Sequence, residues 1–133
     1  MSPHDWTLSV GHPKVVMNSK IADTFADHWI ESWNSHDLEK ILSHYTDDFE
    51  MSSPVIIETM GEPSGILKGK EIIRTYWSKA LEKYPELHFE KLHVLAGSNS
   101  VTIIYNGVRG LSAEVFHFNR SGKVYAAYAH YHP

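Results

Sequence analysis

A glutamate stands in the middle of the run Ala113-Glu114-Val115-Phe116, where strand-forming residues surround the only carboxylate of the segment from Leu111 to Lys123. Its surroundings follow from the turn signals on either side. Asn106-Gly107 between apolar runs is a type I′ hairpin signal, because both residues tolerate positive φ. With Tyr105 opposite Val108, Ile103 faces Gly110 and Val101 faces Ser112. The side chains of Val101, Ile103, Tyr105, Ser112, Glu114 and Phe116 then share one face. Closing the next hairpin with Phe118 opposite Lys123 adds Ala127, Ala129 and Tyr131 to that face, with Ala127 beside Glu114. A carboxyl group set among small and aromatic residues has its pKa raised by burial and can give or take a proton from a bound molecule. The plainer reading is a carboxylate at a sheet edge, solvated or paired with Arg109 or a histidine.

Trp29, Trp33 and Trp77 offer large rigid rings that suit a flat apolar ligand or ordinary core packing, and Tyr45, Tyr105 and Tyr131 offer phenols that suit an oxyanion or a backbone group. Ten histidines include His130 and His132 on one face of a strand, but no helical His or Glu spacing supplies a third ligand, so no metal site is expected. There is no glycine-rich phosphate cradle and no Gly-x-Ser-x-Gly elbow.

The elements that must position these groups follow in chain order. Residues 1–17, with Pro3, Gly11 and Pro13, show no period and are expected to be an arm. Ile21, Phe25, Trp29 and Trp33 recur at i, i+4 spacing and predict an amphipathic helix, ended by Asn34-Ser35-His36-Asp37. Asp37 caps a short second helix carrying Leu38, Ile41, Leu42 and Tyr45. In YTDDFEMSSP, Phe49, Met51 and Ser53 alternate inward along a strand that ends at Pro54. Val55 to Lys68 reads as a short extended piece followed by a loop, whose Gly61 to Leu67 part is expected to border a pocket mouth. Lys70 to Tyr84 is a third helix, with Ile73, Tyr76, Trp77, Ala80, Leu81 and Tyr84 on its buried side and Pro85 stopping it, and four strands follow.

With 133 residues, one domain is expected, over 18–133. A net charge of −4 and a pI near 6.2 give no electrostatic reason for a nucleic-acid partner. Lack of cysteine excludes disulfides and thiolate chemistry. No apolar run reaches the ~18 residues of a membrane span. A cytoplasmic protein is the expectation.

The order helix, helix, strand, loop, helix, four strands resembles the NTF2-like superfamily, which includes SnoaL-type polyketide cyclases and ketosteroid isomerases. The resemblance runs from about Thr24 onward, through the break from Trp33 to Asp37, YTDDFEMSSP, LKGKEIIRTYW and AEVFHFNRSGKV. It implies an α+β cone, with three N-terminal helices packed in the concave face of a curved, mostly antiparallel sheet. In the ketosteroid isomerase pattern the general base falls at Ser53, the phenolic oxyanion donor at Trp29, a supporting tyrosine at Trp77 and the second oxyanion donor at Glu114, while Tyr45 is kept. Serine has no useful basicity near neutrality, so that mechanism does not carry over.

What the resemblance does imply is a SnoaL-like apolar cone that needs no cofactor. Its substrate would be a small, partly apolar carbonyl, enol or epoxide, with Glu114 as acid/base and Ser53 and a tyrosine orienting it. The pocket would be lined by Trp29, Trp33, Tyr45, Met51, Trp77, Ile103, Tyr105, Ser112, Phe116 and Tyr131. The rival from another class is a non-catalytic module that binds a ligand or a protein. The outer sheet face, with Leu111, Ala113, Val115, Val124, Ala126 and Tyr128, is too apolar to be left in water, and a homodimer through it is expected.

Overall fold

The computed structural model describes residues 17–133. The expected N-terminal arm therefore lies outside the described residues, save Met17, which packs against the edge of the core.

Among the described residues four helices and six strands follow one another: α1 (Ser19–Ser35), α2 (Leu38–Leu42), β1 (Tyr45–Ser52), α3 (Pro54–Met60), β2 (Ile66–Lys68), α4 (Lys70–Lys83), β3 (Glu90–Gly97), β4 (Ser100–Gly107), β5 (Gly110–Phe118) and β6 (Val124–Tyr131). The strands form one curved open sheet in the order β2-β1-β6-β5-β4-β3, antiparallel except for the β1–β6 pair. This is the mixed α+β arrangement that the resemblance implies.

Helix α1 starts where Asn18 Oδ1 accepts the Ile21 N–H at 2.9 Å, and it stops at His36, whose φ of 60° is left-handed. Its buried face is Ala22, Ala26, Trp29, Ser32 and Trp33, and Ile21, expected in the stripe, is exposed. The small Ala22 and Ala26 let the helix sit close, while the indoles fill the deeper space. The break after Ser35 is also an anchor: Asn34 Nδ2 donates to Phe89 O at 3.0 Å, Asn34 Oδ1 accepts the Phe89 N–H at 2.6 Å, and a His36 Nε2 contact reaches Leu87 O at 2.8 Å. These bonds fix the entry into β3.

The segment after β1 departs from expectation. Pro54 does not simply end a strand; it is the first residue of α3, the position where its missing N–H costs nothing. Ser53 Oγ accepts the Val55 N–H at 3.1 Å as the N-cap, Ile56 is buried, and Gly61 closes the helix with φ of 67°. Leu67 of β2 then pairs with Met51 of β1, so the end of the expected loop is a short strand in which Leu67 is buried.

Two hairpins differ in register from the sequence reading. The β4–β5 turn is Val108-Arg109, with Gly107 opposite Gly110, which places Ile103 beside Glu114 and Tyr105 beside Ser112. Gly107 has another reason to be glycine: a Cβ there would sit 2.9 Å from the Tyr105 ring and 3.2 Å from that of Phe89. The left-handed residue is Gly110, at φ 84°. In the β5–β6 hairpin Ala129, not Ala127, lies beside Glu114, and Tyr131 lies beside Ser112. A bulge between His117 and Phe118 turns Val124 inward, where it is fully buried, so it is not part of the outer face. On that face Leu111 and Tyr128 are exposed, Ala113 and Val115 are half-buried and Ala126 is covered.

Candidate functional site

The inward sides of β4, β5 and β6 place Tyr105, Ser112 and Tyr131 in one row across the sheet, with Glu114 one inward position further along β5. Opposite them stand Trp29 and Trp33 from α1, and Tyr76 and Trp77 from α4. Met51 and Val55 close one side, Leu87 and Phe89 another. The enclosed cavity is about 80 Å3, room for several water molecules or a small organic group, and its walls are chiefly aromatic. Its exposed lining residues are Val108 and Arg109 of the β4–β5 turn. Nothing from Gly61 to Leu67 lines it.

Glu114 is 4 % exposed. The Tyr105 hydroxyl donates to its Oε1 over 3.4 Å, longer than the usual O–H···O range, so the carboxyl is poorly compensated for lost water. Burial pushes its pKa from the ordinary carboxylate range up to about 8, and the weak Tyr105 bond opposes this only in part. No cation among the described residues offsets it: Arg109 pairs instead with Glu58 on α3, and no histidine reaches the carboxyl. The paired-carboxylate alternative is therefore not what the structure holds.

Four tyrosines line the cavity, Tyr76, Tyr84, Tyr105 and Tyr131, and three of them have raised pKa values. Burial raises the pKa of Tyr105 well above its ordinary value, with the neighbouring Glu114 charge adding to the effect. Tyr76 is pushed up to about 12 by burial, and Tyr131 is raised by burial and then by Glu114, with the Ser53 hydroxyl opposing both shifts. All three stay protonated near neutrality and act as donors.

Of the residues expected at the site, Glu114, Trp29, Trp33, Met51, Trp77, Tyr105, Ser112 and Tyr131 line the cavity. Tyr45, Ile103, Phe116 and Ser53 do not. Tyr45 is behind Trp29, its hydroxyl accepting the Trp29 Nε1–H at 2.9 Å, and its own pKa is raised by burial. Ile103 and Phe116 are fully buried core. Ser53 is buried, with its oxygen given to the α3 cap, and the Ser112 hydroxyl donates to Gly110 O at 3.0 Å. The Trp33 Nε1–H is buried with no partner.

Sequence reasoning missed Phe89, Val55 and Arg109 as lining residues and placed Tyr76 only in the core stripe. Tyr76 precedes Trp77 in that stripe and carries a hydroxyl that needs a partner when buried, which was the available signal. Among the described residues no group of three or more His, Asp or Glu side chains could hold a metal ion, and no helix is long and apolar enough to cross a membrane.

Comparison with known proteins bears on this site. A family model described as a SnoaL-like domain matches residues 26–128. A SnoaL-like protein of unknown function from Burkholderia thailandensis shares 51% identity over 87% of this chain and 98% of its own, with a TM-score of 0.84. SalBIII, described as an epoxide hydrolase/cyclase-like enzyme in pyran ring formation of the polyether salinomycin, is 15% identical over 86% of this chain and 93% of its own, at a TM-score of 0.68. Bal32a, from a soil-derived mobile gene cassette, is 18% identical over 84% and 89%, at 0.66. The last two show a shared fold. No curated protein of known function matches the sequence.

Proposed function

Because the chain belongs to the SnoaL-like domain family, we propose that it performs cofactor-independent acid/base chemistry on a small, partly apolar substrate, in the manner of a cyclase, isomerase, dehydratase or hydrolase. The observation that carries this reading is the Glu114 carboxyl, buried in the wall of an aromatic cavity, held by no cation and raised to about pKa 8. At neutral pH such a group is mostly protonated. It first gives its proton to a carbonyl or epoxide oxygen, while the phenols donate hydrogen bonds to the charge developing there. When an epoxide C–O bond breaks, the attacking water or hydroxyl forms the new C–O bond and its proton passes to the Glu114 carboxylate, which restores the acid.

The test is to incubate the protein with a panel of small ketones, enones and epoxides in deuterated water, followed by nuclear magnetic resonance. Opening or cyclisation of an epoxide is expected, slowed by a factor on the order of 10² in Glu114→Gln. The rate should fall as pH rises through about 8, where the acid form is lost. Turnover that is unchanged in Glu114→Gln rejects the assignment.

One observation favours a second reading, a non-catalytic binding module: the Ser112 hydroxyl donates to Gly110 O, which leaves Glu114 and the phenols as recognition groups. A binder shows changed affinity in Glu114→Gln and no turnover in the parent.

The same proposal includes a homodimer through the outer face of β5 and β6, where exposed Leu111 and Tyr128 flank Val115. Sedimentation at micromolar concentration should give twice the 15.2 kDa chain mass, and Val115→Glu should give the monomer. A monomeric parent defeats this part.

A further inference from the structure

Among the described residues that line the aromatic cavity, Arg109 alone is a cation. It occupies the turn between β4 and β5, lines the cavity, and also lines an outer vestibule of about 180 Å3 that adjoins it. The two spaces share Val55, Tyr76, Ala80, Tyr84 and Arg109 in their walls, so they lie side by side with Arg109 facing both. The charged residues of the vestibule are Arg109, Lys79 and Lys83 against Glu58 alone, a local excess of positive charge on a chain whose net charge is −4. Among the described residues neither lysine has an ion-pair partner.

The guanidinium is already held as a ligand would need it. It is over the Tyr131 ring, 5.8 Å from the centroid, and its Nη2 donates to the Glu58 carboxylate. Glu58 shows that a carboxylate fits there. Its side chain is 60 % exposed and that of Arg109 39 %, so the pair is a surface contact of small net worth that an incoming anion can replace or join.

We propose that the substrate carries a carboxylate, held by Arg109 with Lys79 and Lys83 in the vestibule, while its apolar body fills the aromatic cavity in front of Glu114. This rests on reading the cavity as a ligand site, and it adds polarity and direction. The ligand enters apolar end first, and its reacting atoms lie a short chain's length from its charged end. A neutral ligand of the same shape leaves the vestibule cations unused.

Calorimetric titration at pH 7 and low salt, with the straight-chain carboxylates from hexanoate to decanoate and the corresponding amides, tests this. The acids are expected to bind about tenfold more tightly than the amides, with the difference shrinking as salt is raised. Arg109→Met, which keeps an apolar stem, should bring acid and amide within about twofold, chiefly by weakening the acids, with an unchanged circular dichroism spectrum to report an intact fold. Glu58→Gln, which frees the guanidinium, should strengthen the acids several-fold and not the amides. Equal affinity for acid and amide in the parent, a preference that survives Arg109→Met, or no binding by any of the acids overturns the proposal. The readout is binding alone, so it is separate from turnover: loss of catalysis as the correct reading leaves the acid preference to be seen, and loss of the preference leaves Glu114 chemistry untouched.

Discussion

Glu114→Gln is expected to be more stable than the parent at pH 8, by an amount on the order of 3–5 kcal/mol, and close to equal at pH 5. The carboxyl has a folded pKa of about 8 against an ordinary 4.5. A raised carboxyl pKa means that the folded state binds its proton more tightly than the unfolded chain does. Its contribution is therefore fully present below pH 4.5 and is lost as pH rises through 8. Glutamine keeps the size and the hydrogen-bonding end without the ionisation, so the loss disappears.

His44 bends the curve the other way. Burial, and then the nearby charges of His28 and Lys123, lower its pKa from 6.5 to about 4, so folding resists its protonation and stability falls as the medium is acidified from 6.5 toward 4. The window from pH 6.5 to 8 therefore reads Glu114 alone of the two. Urea unfolding across that window should show a falling midpoint in the parent and a flat one in the variant. A parent whose midpoint is level from 6.5 to 8 would mean that the carboxyl is compensated, and the acid/base role would go with it.

The second large effect is on the frame of the site. Trp29→Ala should cost about 3–5 kcal/mol, among the largest single losses available in this chain. Its indole is 1 % exposed, stacks on Phe89 at 5.6 Å, and meets Phe116 and Tyr105 edge-on at 5.2 and 5.3 Å. Its N–H also serves the buried Tyr45 hydroxyl, so truncation opens a void and strands a polar atom together. Trp33 makes the contrast. Its N–H has no partner, so Trp33→Phe loses ring volume and no hydrogen bond, and it should cost markedly less than Trp29→Phe. Chemical denaturation of the four proteins checks this, and a loss below ~1.5 kcal/mol for Trp29→Ala would remove Trp29 from its central place.

Much of the site was legible because strand periodicity is forgiving. The β4–β5 register was displaced by four positions and the β5–β6 register by two, both even numbers, so Glu114, Ser112, Tyr105 and Tyr131 still came out on the inner face. What failed was neighbour identity. Asn106-Gly107 has the composition of a turn, yet Gly107 is small because the Tyr105 and Phe89 rings crowd it, a constraint that exists only after folding. Val124 was misplaced because a bulge alters parity and leaves no mark in composition. Pro54 was read as the end of a strand when it opens a helix, since Ser-Pro serves either purpose and only the buried Ile56 decides between them. Arg109 went unseen as a lining residue because its importance comes from a turn meeting α3 across 51 positions of sequence.

The position of β6 in the sheet has a consequence for how the chain is made. It is the last of the described strands to be synthesised, yet it lies between β1 and β5, and its pairing with β1 is the one parallel contact. Until Tyr131 has left the ribosome, the β2–β1 pair and the β3–β4–β5 meander are separate half-sheets, each with a bare edge facing the gap. Those edges are open to other nascent chains for most of translation, and closure comes as a single late event that fixes contacts distant in sequence. Slow pairing, a need for protection by chaperones during synthesis, and low tolerance of any change that delays β6 belong to this topology rather than to the finished protein's stability.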